Sequence, residues 1–258
     1  MRFAARCFRF ALLCIAATFA STTFAVQTDL EANASSLTAG YGTQDSLLMR
    51  LSWNGAAQSL TQLALEHKRA FGERANIVVA NHAWDPTALD RVSFALSASD
   101  AETIAARWRV DGQYSGKFGD QLNVVVSLGG FVSSTADGHR DHSVIPSFAW
   151  YFADRQVIEG GLRFARSDPG AQSAARGFVV YTWGAPGQDT LNVRVEGGRE
   201  AYQSLGANVA VANFASQEFA LNWRRWLTPD AGFGLNAAFY TNPTYSKTTL
   251  GLGAFFAF

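Results

Sequence analysis

Counted back by twos from Phe258, the chain reads Phe256, Ala254, Leu252 and Leu250, with Ala257, Phe255, Gly253, Gly251, Thr249 and Lys247 in between. Successive side chains of a β-strand point to opposite faces, so Thr244 to Phe258 predicts a strand with one apolar face and one small or polar face. The same period recurs upstream. Trp108, Val110, Gly112 and Tyr114 alternate with Arg107, Arg109, Asp111, Gln113 and Ser115. Leu191, Val193 and Val195 alternate with Asn192, Arg194 and Glu196. Met49–Asn54, Leu122–Gly129, Ile158–Phe164, Phe219–Arg224 and Phe233–Tyr240 read the same way. Weaker segments are Leu37–Tyr41, Leu60–Lys68, Ile77–Trp84, Arg91–Ser97, Ser143–Phe152 and Phe178–Trp183. The expected count is fourteen strands, or twelve if the poorly alternating Ile77–Trp84 and Arg91–Ser97 are left out.

Period two alone does not say which face meets water. A soluble β-protein buries its apolar face, whereas a membrane barrel turns it to lipid and lines its lumen with the polar one. Three features favour the barrel: the aromatic carboxyl-terminal strand, charges in mid-strand among small residues, and the placement of tryptophan. All seven tryptophans fall in or at the ends of predicted strands, and Trp53, Trp108, Trp150 and Trp223 are the candidates for an interfacial girdle. Phe256 and Phe258 resemble the terminal signal by which barrel-assembly machinery takes up outer-membrane barrels. The fold class is therefore an all-β, antiparallel, up-and-down transmembrane barrel.

Turn residues support this order. Asn54-Gly55, Asp85-Pro86, Phe118-Gly119-Asp120, Ala153-Asp154, Ala185-Pro186-Gly187 and Pro229-Asp230 supply turn geometry and are expected to be short periplasmic turns. Thr135–His142, Ser167–Ala174 and Arg199–Ser216 are expected to be the longer external loops, with a tight external turn at Phe71-Gly72-Glu73.

The first 25 residues read as a secretory signal: Arg2, Arg6 and Arg9, the apolar run Phe10–Ala20, and a cut after Ala25. Val26–Ser35 is then a short polar periplasmic lead-in, and residues 36–258 form the barrel. Cys7 and Cys14 leave with the signal, which removes disulfides and thiolate chemistry from the mature chain. Without the three signal arginines, 18 basic residues face 21 acidic ones, a net charge of −3. That balance offers no basic footprint for a nucleic acid.

Ser36-Leu37-Thr38-Ala39-Gly40-Tyr41 near the start resembles the YaiO-type outer-membrane β-barrel family. So do Gly234-Leu235-Asn236-Ala237-Ala238, Tyr240-Thr241-Asn242-Pro243-Thr244 and Leu250-Gly251-Leu252 near the end. The resemblance implies an outer-membrane barrel and brings no substrate or catalytic residue with it.

The polar face collects Arg50, Glu66, Lys68, Arg107, Arg109, Asp111, Glu159, Arg163, Arg194, Glu196, Glu218, Arg224 and Lys247. Buried charges need partners, so most of these are expected to pair along the lumen wall. Arg50, Arg107, Arg109, Asp111, Arg194, Glu196 and Arg224 are the candidates for solute contact, as charged rings select in pores. Asp137 with His139-Arg140-Asp141-His142 is the one histidine cluster, and without a rigid element to fix its ligands it predicts no metal site. His67 and His82, with Ser59, Glu66 and Asp85 nearby, are the only candidates for lipid-directed hydrolysis, and no Gly-x-Ser-x-Gly elbow accompanies them. Gly129-Gly130, Gly160-Gly161 and Gly197-Gly198 open no helix and suit strand bending or packing against aromatic neighbours.

The expectation is a passive or weakly selective channel for a small hydrophilic or saccharide-like solute, with no cofactor. Its partners would be outer-membrane lipid, the assembly machinery and an unidentified envelope or polysaccharide system. A lipid-modifying barrel enzyme and a structural or adhesive barrel acting through its loops are the competing classes.

Overall fold

A computed structural model describes residues 26–55, 58–153, 155–185, 187–205 and 210–258. The expected signal and its cleavage site lie outside the described residues, as do Asp154 and Pro186 of two expected turns. The strands are β1 (Val26–Leu37), β2 (Thr43–Gly55), β3 (Ser59–Ala70), β4 (Glu73–Trp84), β5 (Asp90–Ser99), β6 (Trp108–Phe118) and β7 (Val124–Ser134). They continue as β8 (Arg140–Ala153), β9 (Gln156–Asp168), β10 (Gln172–Gly184), β11 (Thr190–Ser204), β12 (Ala210–Thr228), β13 (Ala231–Thr241) and β14 (Ser246–Ala257). Each pairs antiparallel with its sequence neighbours, and β1 pairs with β14 to close the barrel. No helix occurs among the described residues.

Val26–Ser35 is a correction. It is not a lead-in but most of the first strand, in register with β14 from Gln27–Ala257 to Leu37–Lys247. The weak strand expected at Leu37–Tyr41 is instead the end of β1 and the turn that follows it. The count of fourteen stands because that one assignment was displaced along the chain. Val26 and Phe258 exchange both backbone hydrogen bonds, at 2.8 and 2.9 Å, so the described chain is clasped from its first residue to its last.

The apolar face is outside. Leu47, Val78, Leu96, Val110, Leu128, Val144, Leu162, Val179, Val195, Phe219, Leu235 and Leu250 form a belt around the barrel, Leu128 and Leu250 being 58% and 65% exposed. A continuous apolar belt of this extent has no stable counterpart on a protein surrounded by water, and it fits hydrocarbon. Transmembrane strands need about 9–11 residues, and these run from 10 to 19. The surplus shortens the loops. Connections span two to eight residues at one end and two to five at the other, so the expected contrast in loop length is absent. Thr135–His142 reduces to 135–139, Ser167–Ala174 to 169–171, and most of Arg199–Ser216 is the continuing β11–β12 hairpin, paired as far as Ser204–Ala210. Backbone that would be loop is ladder there, because pairing satisfies each amide outside the membrane as it does within.

Inside, at the end that carries both termini, aromatic rings lie on glycines. Phe255, 2% exposed, faces inward and meets Trp226 edge-on with ring centroids 4.7 Å apart. A Cβ on Gly232 would come within 2.3 Å of the Phe255 ring, so only glycine admits the ring at that level. Removing a buried Phe side chain leaves a cavity and costs about 3–5 kcal/mol. Phe255→Ala is therefore expected to destabilise the barrel by about 3 kcal/mol in urea unfolding, and the lipid-facing Phe256→Ala by clearly less. Equal losses would contradict the inward assignment of Phe255.

Candidate functional site

The inward face of β9, β10 and β11 carries the densest polar network. Glu196 on β11, with a side chain 6% exposed, accepts from Arg194 Nη2 at 2.6 Å. It also lies 3.1 Å from Arg176 Nε and 3.4 Å from Arg163 Nη1. Arg163 and Arg176 sit directly opposite one another on β9 and β10, a like-charge pairing that destabilises unless an anion intervenes. Glu196 is that anion. Arg176 Nη1 continues the chain to Glu200 Oε1 at 2.9 Å, which also accepts from the Tyr240 hydroxyl at 2.8 Å. Phe178 lies over Gly161, where a Cβ would meet the ring at 2.7 Å, and Arg194 stacks above the Phe178 ring at 4.6 Å. The paired glycine thus lets an aromatic lie flat on the wall and carry a cation.

Two smaller clusters repeat the device. Arg109 donates from Nε to both Asp111 oxygens, at 3.0 and 2.9 Å, with its guanidinium 3.7 Å from the Phe131 ring centroid. Arg224 lies 2.8 Å from Asp29 across two intervening strands, and 4.2 Å above the Phe255 ring. Beside it Asn33 and Asn236 both donate to Glu31 Oε1, at 2.8 and 2.9 Å. The expectation that lumen charges pair along the wall holds for these groups.

At the end opposite the termini the lumen widens into a vestibule of about 370 Å³. Lys68, Arg109, Arg163, Arg176, Arg199 and Lys247 border it, against only Asp141 and Glu200. The 100–107 connection forms part of its wall and is tied down where Thr103 donates to Glu73, at 2.6 Å from the hydroxyl and 3.1 Å from the amide. Tyr41, Phe71 and Tyr245 from three successive turns of that end meet edge-on or tilted, with centroids 5.6 to 6.0 Å apart, and form an aromatic cluster on one side of the mouth. On the other side His139 stacks on Tyr202 at 3.8 Å, and Asp137 accepts from the Tyr202 hydroxyl. Burial pushes the Asp137 carboxyl up, but hydrogen bonds from Thr135, His139 and Tyr202 outweigh it and hold the group below its ordinary range.

The remaining expected residues fall as follows. Arg50 faces inward opposite Asp29 of β1. Arg107 precedes β6 and lies exposed at the rim rather than in the lumen. Trp53, Trp150 and Trp223 lie on the outer wall toward the terminal end, and Trp108 on the outer wall at the opposite end. Trp226 breaks the set by facing inward. His67 and His82 both face outward, and their levels on β3, His67 itself and Thr61 opposite His82, are six positions apart. At about 3.4 Å per residue that is roughly 20 Å, too far to share one reaction. Among the described residues no three His, Cys, Asp or Glu side chains gather as a metal site would require. His142 faces outward beside Asp168, away from the His139–Tyr202 stack. Arg176, Glu200, Asp29 and Glu31 join the network although the expected set does not include them. All four lie beyond the expected strand boundaries, and each follows once the strands are extended with unchanged alternation.

The sequence model of the YaiO membrane beta barrel domain matches residues 25–203. No curated protein matches the chain. Among solved structures, a bacterial polysaccharide outer membrane secretin is similar with a TM-score of 0.61 at 8% identity, covering 92% of this chain and 100% of that one. The CymD monoaromatic hydrocarbon channel gives 0.58 at 8% identity, over 91% and 88%. The Acinetobacter baumannii outer membrane protein Omp33 gives 0.51 at 9%, over 92% and 100%. At such identities the likeness is one of fold.

Neutralising a buried acid that serves three guanidiniums leaves uncompensated charge, and breaking buried ion pairs costs about 3–5 kcal/mol. Glu196→Gln is expected to lower unfolding stability by about 3 kcal/mol, with part recovered when Arg194→Met is added. Asp189→Asn, which removes the exposed partner of Arg225 on the outer wall, is expected to cost less than about 1 kcal/mol. Chemical denaturation of the refolded variants in detergent reads all three.

Proposed function

The chain belongs to the YaiO membrane β-barrel family, and on that premise we propose that it is a passive or weakly selective outer-membrane channel for a small hydrophilic or saccharide-like solute. The observation that carries the reading is the state of the inward charges. Arg109, Asp111, Arg163, Arg194 and Arg224 face the lumen yet keep 30–38% side-chain exposure, so the bore holds water around them. Eight-stranded barrels are about filled by their side chains, while sixteen strands enclose an aqueous channel. Fourteen strands with their ion pairs laid along the wall fall on the open side of that range. The ion pairs described join strands no more than three apart around the wall, and none of them bridges the bore.

The competing classes draw less support. The two candidate histidines for lipid chemistry lie apart, and the connections that an adhesive barrel would use are short. Phe256 and Phe258, at the end of the closing strand, remain the features through which assembly machinery would take up the chain.

Single-channel recording of the refolded protein in a planar bilayer is expected to give stable, discrete conductance steps. Arg109→Glu is expected to shift ion preference toward cations, because it replaces a cation at the vestibule with a second anion beside Asp111. A barrel that is folded, as judged by heat-sensitive gel mobility, yet electrically silent would refute the channel.

A further inference from the structure

We propose that the vestibule is a binding site for a small, hydroxylated monocarboxylate, a sugar-acid type of solute, held by Lys68, Lys247 and Arg176. The proposal deepens the channel reading and rests on it for the solute's route to the site.

The first ground is unbalanced charge. Arg109, Arg163, Arg176, Arg194 and Arg224 have carboxylate partners, but Lys68 and Lys247 have none within 4.0 Å among the described residues. Both border the same cavity. Lys247 instead stands 5.7 Å from the Tyr240 ring centroid; Glu200 is already engaged by Arg176 and Tyr240, and Glu218, level with Lys247 across β13, makes no ion pair with it among the described residues. Two partly desolvated ammonium groups beside one cavity repel each other, and an anion between them removes that cost.

The second ground is a donor to spare. Arg176 has a side chain 9% exposed, so its guanidinium is fixed rather than mobile. Nη1 serves Glu200; Nε lies 3.1 Å from Glu196 as an ion pair, and both Nε and Nη2 are buried and without a hydrogen-bond partner among the described residues. An unsatisfied buried donor is costly in a finished structure and is relieved when a ligand acceptor arrives.

The rest of the lining sets the ligand class. The volume of about 370 Å³ lies at the small end of the ~300–1,000 Å³ range of ligand pockets. Gln44 and Gln203 border it and offer amide donors and acceptors suited to hydroxyl groups. Glu200 and Asp141 at its edge favour a monoanion over a phosphate dianion, which would meet more repulsion from them.

Isothermal calorimetry on the refolded full barrel in detergent tests this with D-glucuronate, D-glucose and inorganic phosphate as probes. Saturable heat is expected for glucuronate, weakening as salt is raised, with none for glucose and less for phosphate. Lys68→Met with Lys247→Met is expected to weaken glucuronate binding by roughly tenfold or more, as loss of partly desolvated charge contacts does. If the double variant does not fold, each single variant is expected to weaken binding in the same direction. Arg69→Met, which removes a cation from the outer wall, is expected to bind as the parent does. Equal binding of glucose, tighter binding of phosphate, or unchanged affinity in folded lysine variants would overturn the proposal. A barrel that conducts but binds no glucuronate sinks the site and spares the channel, whereas a silent barrel that binds glucuronate does the reverse.

Discussion

Everything in this fold depends on leaving no backbone amide unpaired in hydrocarbon. Each unsatisfied group there costs several kcal/mol, so a sheet that spans the membrane must close on itself. Closure is made by β1 against β14 and finished by the reciprocal bonds between Val26 and Phe258. That single demand explains why a segment as polar as Val26–Leu37 is strand. Its outward positions, Thr28, Leu30, Ala32 and Ala34, need only be tolerable in lipid, while Asp29, Glu31 and Asn33 point into the bore. The ladder supplies the stability that side-chain hydrophobicity does not.

Closure also turns the usual logic of a protein core inside out. Lipid takes the apolar face, so the interior must be organised by polar contacts and by a few aromatics. The solution here is layered. At the terminal end Phe255 and Trp226 pack over Gly232, with Arg224 on the Phe255 ring. In the middle Glu196 holds Arg163, Arg176 and Arg194 together. At the far end the wall becomes basic and the cavity opens. Partner supply decreases along this axis, from a packed aromatic layer to charges with acceptors missing.

How much of this could be read in advance follows from the same physics. Period two survives in any half-exposed sheet, so strand number, lipid-facing residues and most lumen charges were legible from alternation alone. Boundaries were not, because turn residues such as His142 or Ser167 are equally acceptable in a ladder that continues past the membrane. Boundaries that fall short leave out Arg176, which lies two positions before Phe178 and on its face, and Glu200, which falls in an expected loop. They also placed Arg107 in a strand that begins one residue later. Trp226 shares the parity of Arg224, so its inward position was available to counting, but the association of tryptophan with interfaces obscured it. What the sequence could not hold at all was the meeting of Lys68 from β3 with Lys247 from β14, since only closure brings those strands around one mouth.

Those two lysines border one cavity with no ion pair between them and any carboxylate among the described residues. Every strand of this barrel had the option of an acid opposite a base, and the wall uses it at Asp29, Asp111, Glu196 and Glu200. A sequence under pressure for stability alone would have brought a carboxylate such as Glu218, level with Lys247 across β13, into contact with it, or replaced a lysine by one of the small residues common on this face. Natural proteins violate local consistency chiefly at functional sites and compensate elsewhere. The compensation is visible beneath the vestibule, where three arginines on one glutamate fix the wall that the unpaired lysines share. Charge left unsatisfied on a rigid, water-reached surface is a cost to the empty barrel and an affinity for whatever anion enters it.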